Sequence, residues 1–144
     1  MNTNKAFVVE LIGGKKRLTD YPERMSDSIV VYEPASLPTS GVYRGKRAFA
    51  EFYRKMRKFY DLNQFQLEGV YGDADKVFAV SKAVIADTED AILLCEEIRF
   101  DGRKIVEARL YFHDERPVQE SIRDADAMHS YIYFMERIAC IATT

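Results

Sequence analysis

Between Ala91 and Asp114 the chain reads AILLCEEIRFDGRKIVEARLYFHD, two alternating runs joined by Asp101-Gly102. Alternation with period two predicts strands, because successive side chains point to opposite faces, and Asp-Gly between apolar runs predicts a tight hairpin. On the first strand one face carries Ile92, Leu94, Glu96, Ile98 and Phe100, the other Leu93, Cys95, Glu97, Arg99 and Asp101. The second strand divides into Val106, Ala108, Leu110 and Phe112 against Ile105, Glu107, Arg109, Tyr111 and His113. Glu96 is therefore a carboxylate within an apolar row, a costly placement unless it is protonated, paired or used in chemistry.

The same period extends upstream through FQLEGVYG (65–72) and VFAVSKAVIAD (77–87), with turns at 73–76 and 88–90, which makes four consecutive antiparallel strands. Before them the pattern is helical. Phe7, Val8, Leu11 and Ile12 share a helix face over Asn4 to Ile12, and Gly13-Gly14 ends it. Leu18 to Met25 predicts a second helix, brief or broken because Pro22 lies inside it. Ser28 to Glu33 is β-branched and aromatic, a strand that Pro34 stops. After a loop, Lys46 to Tyr60 predicts a helix with Phe49, Phe52, Tyr53, Met56, Phe59 and Tyr60 on its apolar stripe. Pro117 to about Ala139 predicts a last helix, with Val118, Ile122, Ala125, His129, Ile132 and Met135 at helical spacing. Helices first and a strand meander later imply an α+β fold in which helices cover one face of a curved sheet.

Composition narrows the classes. The 144 residues make one domain, 1–144, with a core over about 5–114 and a C-terminal helical extension over 115–144. With 21 basic and 23 acidic residues the formal net charge is -2, so no basic excess draws the whole molecule to nucleic acid or an anionic membrane. Lys46, Arg47, Arg54, Lys55, Arg57 and Lys58 read as the solvated face of the third helix. Cys95 and Cys140 have no metal-ligand spacing and suit reduced thiols, and no metal or cofactor is expected. The apolar run near the N-terminus is too short for a signal peptide or membrane span, which gives a cytoplasmic expectation.

Glu33 shares a strand face with Ile29 and Val31, so a second carboxylate is a candidate for an inward position, with capping of the loop after Pro34 as its structural alternative. Glu96 has an alternative of the same kind, pairing with a buried Arg or a tyrosine hydroxyl. An inward Glu beside aromatic hydroxyls is a way to bring a carboxyl pKa toward neutrality, which proton transfer requires. The runs IVVYEP, EFY and EEIRFDGRKIVEARLYF, in this order over about residues 5–114, resemble the ketosteroid isomerase and SnoaL-like cyclase branch of the nuclear transport factor 2-like fold.

That resemblance implies a cone-shaped, antiparallel-rich sheet wrapped around the N-terminal helices, with the extra C-terminal helix added. It implies a catalytic set of Glu33 as the base, Glu96 as the protonated acid that donates to an enolate oxygen, and Tyr53 as a supporting hydroxyl. Tyr32, Tyr43, Phe100, Ala108, Leu110 and Phe112 are the candidate ligand-binding residues, lining an apolar pocket for a hydrophobic small molecule. The isomerases keep their principal oxyanion tyrosine in the first helix, where this chain offers Phe7, and both acids here are Glu where the isomerases use Asp. A related activity on another substrate is therefore expected, with a non-catalytic binding or assembly module as the alternative. Arg109 and His113 read as outer-face or interface residues, His129 as packing or a cap. Leu93, Cys95 and Tyr111 on the outer face, with the apolar tail YIYFMERIACIA, predict a homodimer.

Overall fold

In the computed structural model, which describes residues 3–37, 39–121 and 135–139, α1 (Thr3–Ile12) is followed by two 3₁₀ turns at Leu18–Asp20 and Pro22–Arg24. The predicted second helix is thus replaced by two single turns, with Pro22 opening the second, because a proline cannot donate to a continuing helical ladder. β1 (Met25–Glu33), β2 (Gly41–Arg44), α2 (Gly45–Phe59), β3 (Tyr60–Gly72), β4 (Lys76–Ile85), β5 (Ala91–Asp101) and β6 (Lys104–Phe112) follow. The chain is helical again over 116–121 and 135–139. Most of the predicted last helix lies outside the described residues, as do His129 and Cys140.

The strands form one sheet in the order β2-β1-β6-β5-β4-β3, antiparallel except where β1 runs parallel to β6. The four-strand meander is as the alternation predicts. β2 is the strand it does not show, four residues of which only Tyr43 is buried. α2 packs on β1 and β2 at one edge and on β3 at the other, so the sheet curls around it. The fold is α+β, with helices inside a curled sheet.

Two clusters fill the concave side. Under α2 lie Val31, Tyr43, Phe52, Met56, Tyr60, Ile85, Leu94, Leu110 and Val118. Phe7, Val8, Met25, Ile29, Val77, Ala79, Ile98, Phe100 and Ile105 form the other, beneath α1. Asn4 and Arg24 pin the second cluster: Arg24 Nε donates to the Arg103 carbonyl (2.7 Å) and Nη2 to Asn4 Oδ1 (3.0 Å), while Asn4 Nδ2 donates to the carbonyls of Ala74 and Gly102 (2.8 Å each). The guanidinium stacks over the Phe7 ring at 3.9 Å, so two β-turns and the first helix share one buried knot.

One register detail departs from strict alternation. Arg99 pairs with Glu107 but Phe100 pairs with Ile105, which leaves Val106 as the extra residue of a β-bulge. The bulge turns Ile105 inward beside Phe100, where it is buried, although alternation put it on the outer face with Glu107. Beyond it, Asp101 pairs with Lys104 across Gly102-Arg103, and Gly102 takes a φ of 59° that an L side chain adopts at a cost.

Candidate functional site

β1 and β5 deliver two carboxylates to the concave face, with one strand between them. Burial along β1 follows alternation, so Ile29, Val31 and Glu33 all face inward, and Glu33 is only 7% exposed. On β5 the neighbours of Glu96 on its face, Leu94 and Ile98, are both buried, one in each apolar cluster. Glu96 therefore stands at the seam between the clusters, partly buried. Its pairing partners are Leu110 on β6 and Ala79 on β4, with no charge opposite. Tyr32 pairs with Arg109, so Glu33 falls beside Leu110, one step further along β6. Glu33, Leu110 and Glu96 thus form a row across three strands, and at about 4.8 Å per strand the two acids' backbones are roughly 10 Å apart.

Glu33 Oε1 accepts a hydrogen bond from the Thr39 hydroxyl at 2.7 Å, and Glu33 Oε2 has no partner. Burial pushes its pKa up to about 8; the Thr39 bond opposes this, and the charges of Glu96 and Glu115 add to it. Burial alone lifts Glu96 to about 7. Burial thus moves both carboxyls up toward neutral pH. Tyr60 is 1% exposed, its hydroxyl has no partner, and burial with the nearby charges of Glu33 and Glu115 raises its pKa. Glu115 itself accepts from the Ser36 hydroxyl, tying the segment after β6 to the loop after β1. Among the described residues, the three buried side-chain atoms without a partner are Glu33 Oε2, Tyr60 Oη and Ser81 Oγ. Ser81 faces the same side of β4 as Ala79, and its pairing partners are Leu94 on β5 and Leu67 on β3.

The remaining sequence-derived residues divide. Tyr43 is buried in the cluster under α2, where its hydroxyl donates to the Thr39 carbonyl at 2.6 Å and so fixes the loop that carries the Glu33 partner. Leu110 is in that cluster, and Ala108 and Phe112 pack at its margin. Phe100 is buried in the other cluster with Phe7 and Val8, beyond the bulge from Glu96. Tyr53 does not reach the acids: it is 47% exposed and lies under Arg57, because a helix turns about 100° per residue and Phe52 takes the inward position. Tyr32 is on the outer face with the Arg109 guanidinium 4.2 Å from its ring centre, the consequence of alternation once Val31 and Glu33 face in. Thr39, Tyr60, Glu115 and Ser36 were not legible as site residues. Tyr60 falls on the α2 stripe by spacing but opens β3, and the other three sit in loops without periodicity.

On the outer face Arg99 pairs with Glu107 (3.5 Å) and Glu97 receives Lys76 (3.1 Å) and the Tyr111 hydroxyl (2.8 Å). A shallow, open depression of about 230 Å³ lies there, lined by Val80, Leu93, Leu94, Cys95, Tyr111, Phe112 and His113. It is on the opposite side of the sheet from Glu33. No group of His, Cys, Asp and Glu among the described residues converges as a metal site, and no helix among them is long and apolar enough to cross a membrane.

No protein-family model matches the chain, and no curated protein matches it in sequence. Solved structures do. A nuclear transport factor 2-like protein of unknown function from Burkholderia pseudomallei superposes with a TM-score of 0.65 at 14% identity, over 85% of this chain and 97% of that one. A nuclear transport factor 2-like protein from Burkholderia thailandensis gives 0.62 at 20% identity, over 78% and 92%. A steroid delta-isomerase from Pseudomonas aeruginosa gives 0.65 at 16% identity, over 92% and 97%. At identities this low the superpositions show a shared fold alone.

Proposed function

We propose, from the premise that this chain has the nuclear transport factor 2-like fold, that it is a cofactor-free proton-transfer enzyme acting on a hydrophobic small molecule at the concave face. The observation that carries the reading is the Glu33–Leu110–Glu96 row: two inward carboxyls in apolar surroundings, both moved by burial to titrate near neutrality. Such a pair can take a proton from one carbon of a substrate and return it to another, each carboxyl working close to the pH at which both its forms are populated. Glu33 in its ionised form is the base and Glu96 the acid. The working state is the singly protonated pair with its proton on Glu96. The isomerase among the similar structures supports the reaction class as the known activity of a protein with this architecture.

The test is exchange of α-protons of an apolar ketone, 2-tetralone, for deuterium in D₂O, followed by proton NMR. The wild type is expected to accelerate exchange, and Glu33→Gln and Glu96→Gln each to lose ~100-fold or more, the usual contribution of a positioned acid or base. Variants that exchange as fast as the wild type would overturn the assignment.

A non-catalytic ligand-binding module is the second reading. It is favoured by the absence of a tyrosine from α1, where Phe7 is packed into the far cluster, and by the outward position of Tyr53. Under it, ligands bind at the concave face and none is turned over.

A further inference from the structure

Among the described residues three acids serve one face and no base answers them. Glu33 comes from β1, Glu96 from β5 and Glu115 from the segment after β6, and among the described residues the groups that shift Glu33 and Glu96 include no basic side chain. Lys55 on α2 is the basic residue on this side that contacts the surrounding network, and it is already engaged: its Nζ lies 3.4 Å from the Tyr43 hydroxyl and 3.7 Å from Glu51. Arg116 follows Glu115 but pairs with Asp114 at 2.7 Å. A second, independent observation marks the place. The Tyr60 hydroxyl is buried without a partner beside this cluster, and Glu33 itself presents an unpartnered oxygen. Hydroxyl and carboxylate oxygens can all accept hydrogen bonds.

We propose that the Glu33–Glu96–Glu115 face binds an organic cation, an amine on an apolar body, whose ammonium group supplies the missing counter-charge and donates to the unpartnered oxygens of Glu33 and Tyr60. The acids come from β1, β5 and the segment after β6, and among the described residues none of them joins a group that converges on one metal ion, which fits an ammonium on an extended molecule. The apolar body has a matching surface. Phe59, Leu62, Phe65, Ala108 and Phe112 pack at the margin of the cluster without being fully buried. A carboxyl held protonated by burial has a second way to relieve its desolvation, which is to ionise against a cation brought in with the ligand. The proposal rests on the concave face being the ligand site, as in the function proposed above, and is independent of turnover.

The experiment compares three probes with one aromatic body: 2-naphthylmethylamine, 2-naphthylmethanol and 2-naphthoate, titrated into the full chain at pH 7 by calorimetry. The amine is expected to bind at least tenfold more tightly than the alcohol, and the carboxylate more weakly than either. Glu33→Gln should abolish that preference, while Glu51→Gln, on the exposed side of α2, should leave it intact. Equal affinities for amine and alcohol, or a Glu33→Gln protein that keeps the preference, would overturn the proposal. Should Glu33→Gln not fold, carboxyl ¹³C NMR on the wild type decides: bound amine must lower the pKa of Glu33 and Glu96, and unchanged titration refutes the site. Failure of 2-tetralone exchange with amine preference intact would remove the catalytic reading and leave this one standing.

Discussion

Replacing Glu33 by Gln keeps the size of the side chain and an oxygen to accept from Thr39, but removes a carboxyl that is nearly fully buried and unpaired at Oε2. Its ordinary pKa of 4.5 rises to about 8 on folding, so between those values the folded state binds a proton that the unfolded state has lost. Stability from this group is complete below pH 4.5 and falls as pH rises through 8. At about 1.4 kcal/mol per pH unit the whole interval corresponds to a loss of at most about 5 kcal/mol, a large share of a typical domain's stability. Glu96 adds a loss of the same sign, ending near pH 7. Urea unfolding followed by circular dichroism at pH 5 and pH 9 measures it. At pH 5 the variant should match the wild type within about 1 kcal/mol. At pH 9 it should be the more stable protein by about 3 kcal/mol or more, an upward shift of the midpoint of ~1.5 M or more at an m-value of about 2 kcal/mol per M. Midpoints that fall in parallel with pH in both proteins would show that Glu33 is ionised in the folded state, and the reasoning from burial would be wrong.

Tyr60→Phe removes a buried hydroxyl that has no partner, so it should stabilise the unliganded protein by about 1 kcal/mol in the same urea assay, and a comparable loss would show that the hydroxyl is bonded. Arg24→Ala strips the donors from the Arg103 carbonyl and Asn4 Oδ1 and uncovers the Phe7 ring. It should cost about 3 kcal/mol, seen as a fall of roughly 10 °C in Tm, and a change under 2 °C would contradict the knot. Leu93 and Tyr111 are 44% and 47% exposed beside the outer depression, and we propose this face as a homodimer contact. The wild type should sediment as a dimer at micromolar concentration and Leu93→Lys as a monomer; a monomeric wild type refutes the contact.

Alternation along β5 carried much of what could be read in advance, because a strand's period is two and Glu96 stands between Leu94 and Ile98 whatever the rest of the fold does. Glu33 was less plain, since Val30 and Tyr32 are as apolar as Ile29 and Val31, and only pairing with β6 decides which pair faces the core. Ile105 was misplaced because a bulge adds one residue without any mark in the pattern. Tyr53 and Tyr60 exchanged roles for two reasons: an aromatic neighbour on a helix is a quarter-turn away from the buried stripe, and the end of α2 is set by tertiary pairing of Tyr60 with Ile85. Thr39 and Glu115 belong to loops, where sequence spacing carries no information about which side chains meet across the fold.

The order of strands has a consequence for how this site comes into being. β1 and β2 leave synthesis before the other strands, yet among the described residues they join the rest of the sheet only through β6, the last of its six strands in chain order. Until β6 is in place the chain holds a separate hairpin and a separate meander, with Glu33 on one and Glu96 on the other. The insertion of a single strand, bringing Leu110 between the two acids, completes the sheet and creates the coupled pair in the same event.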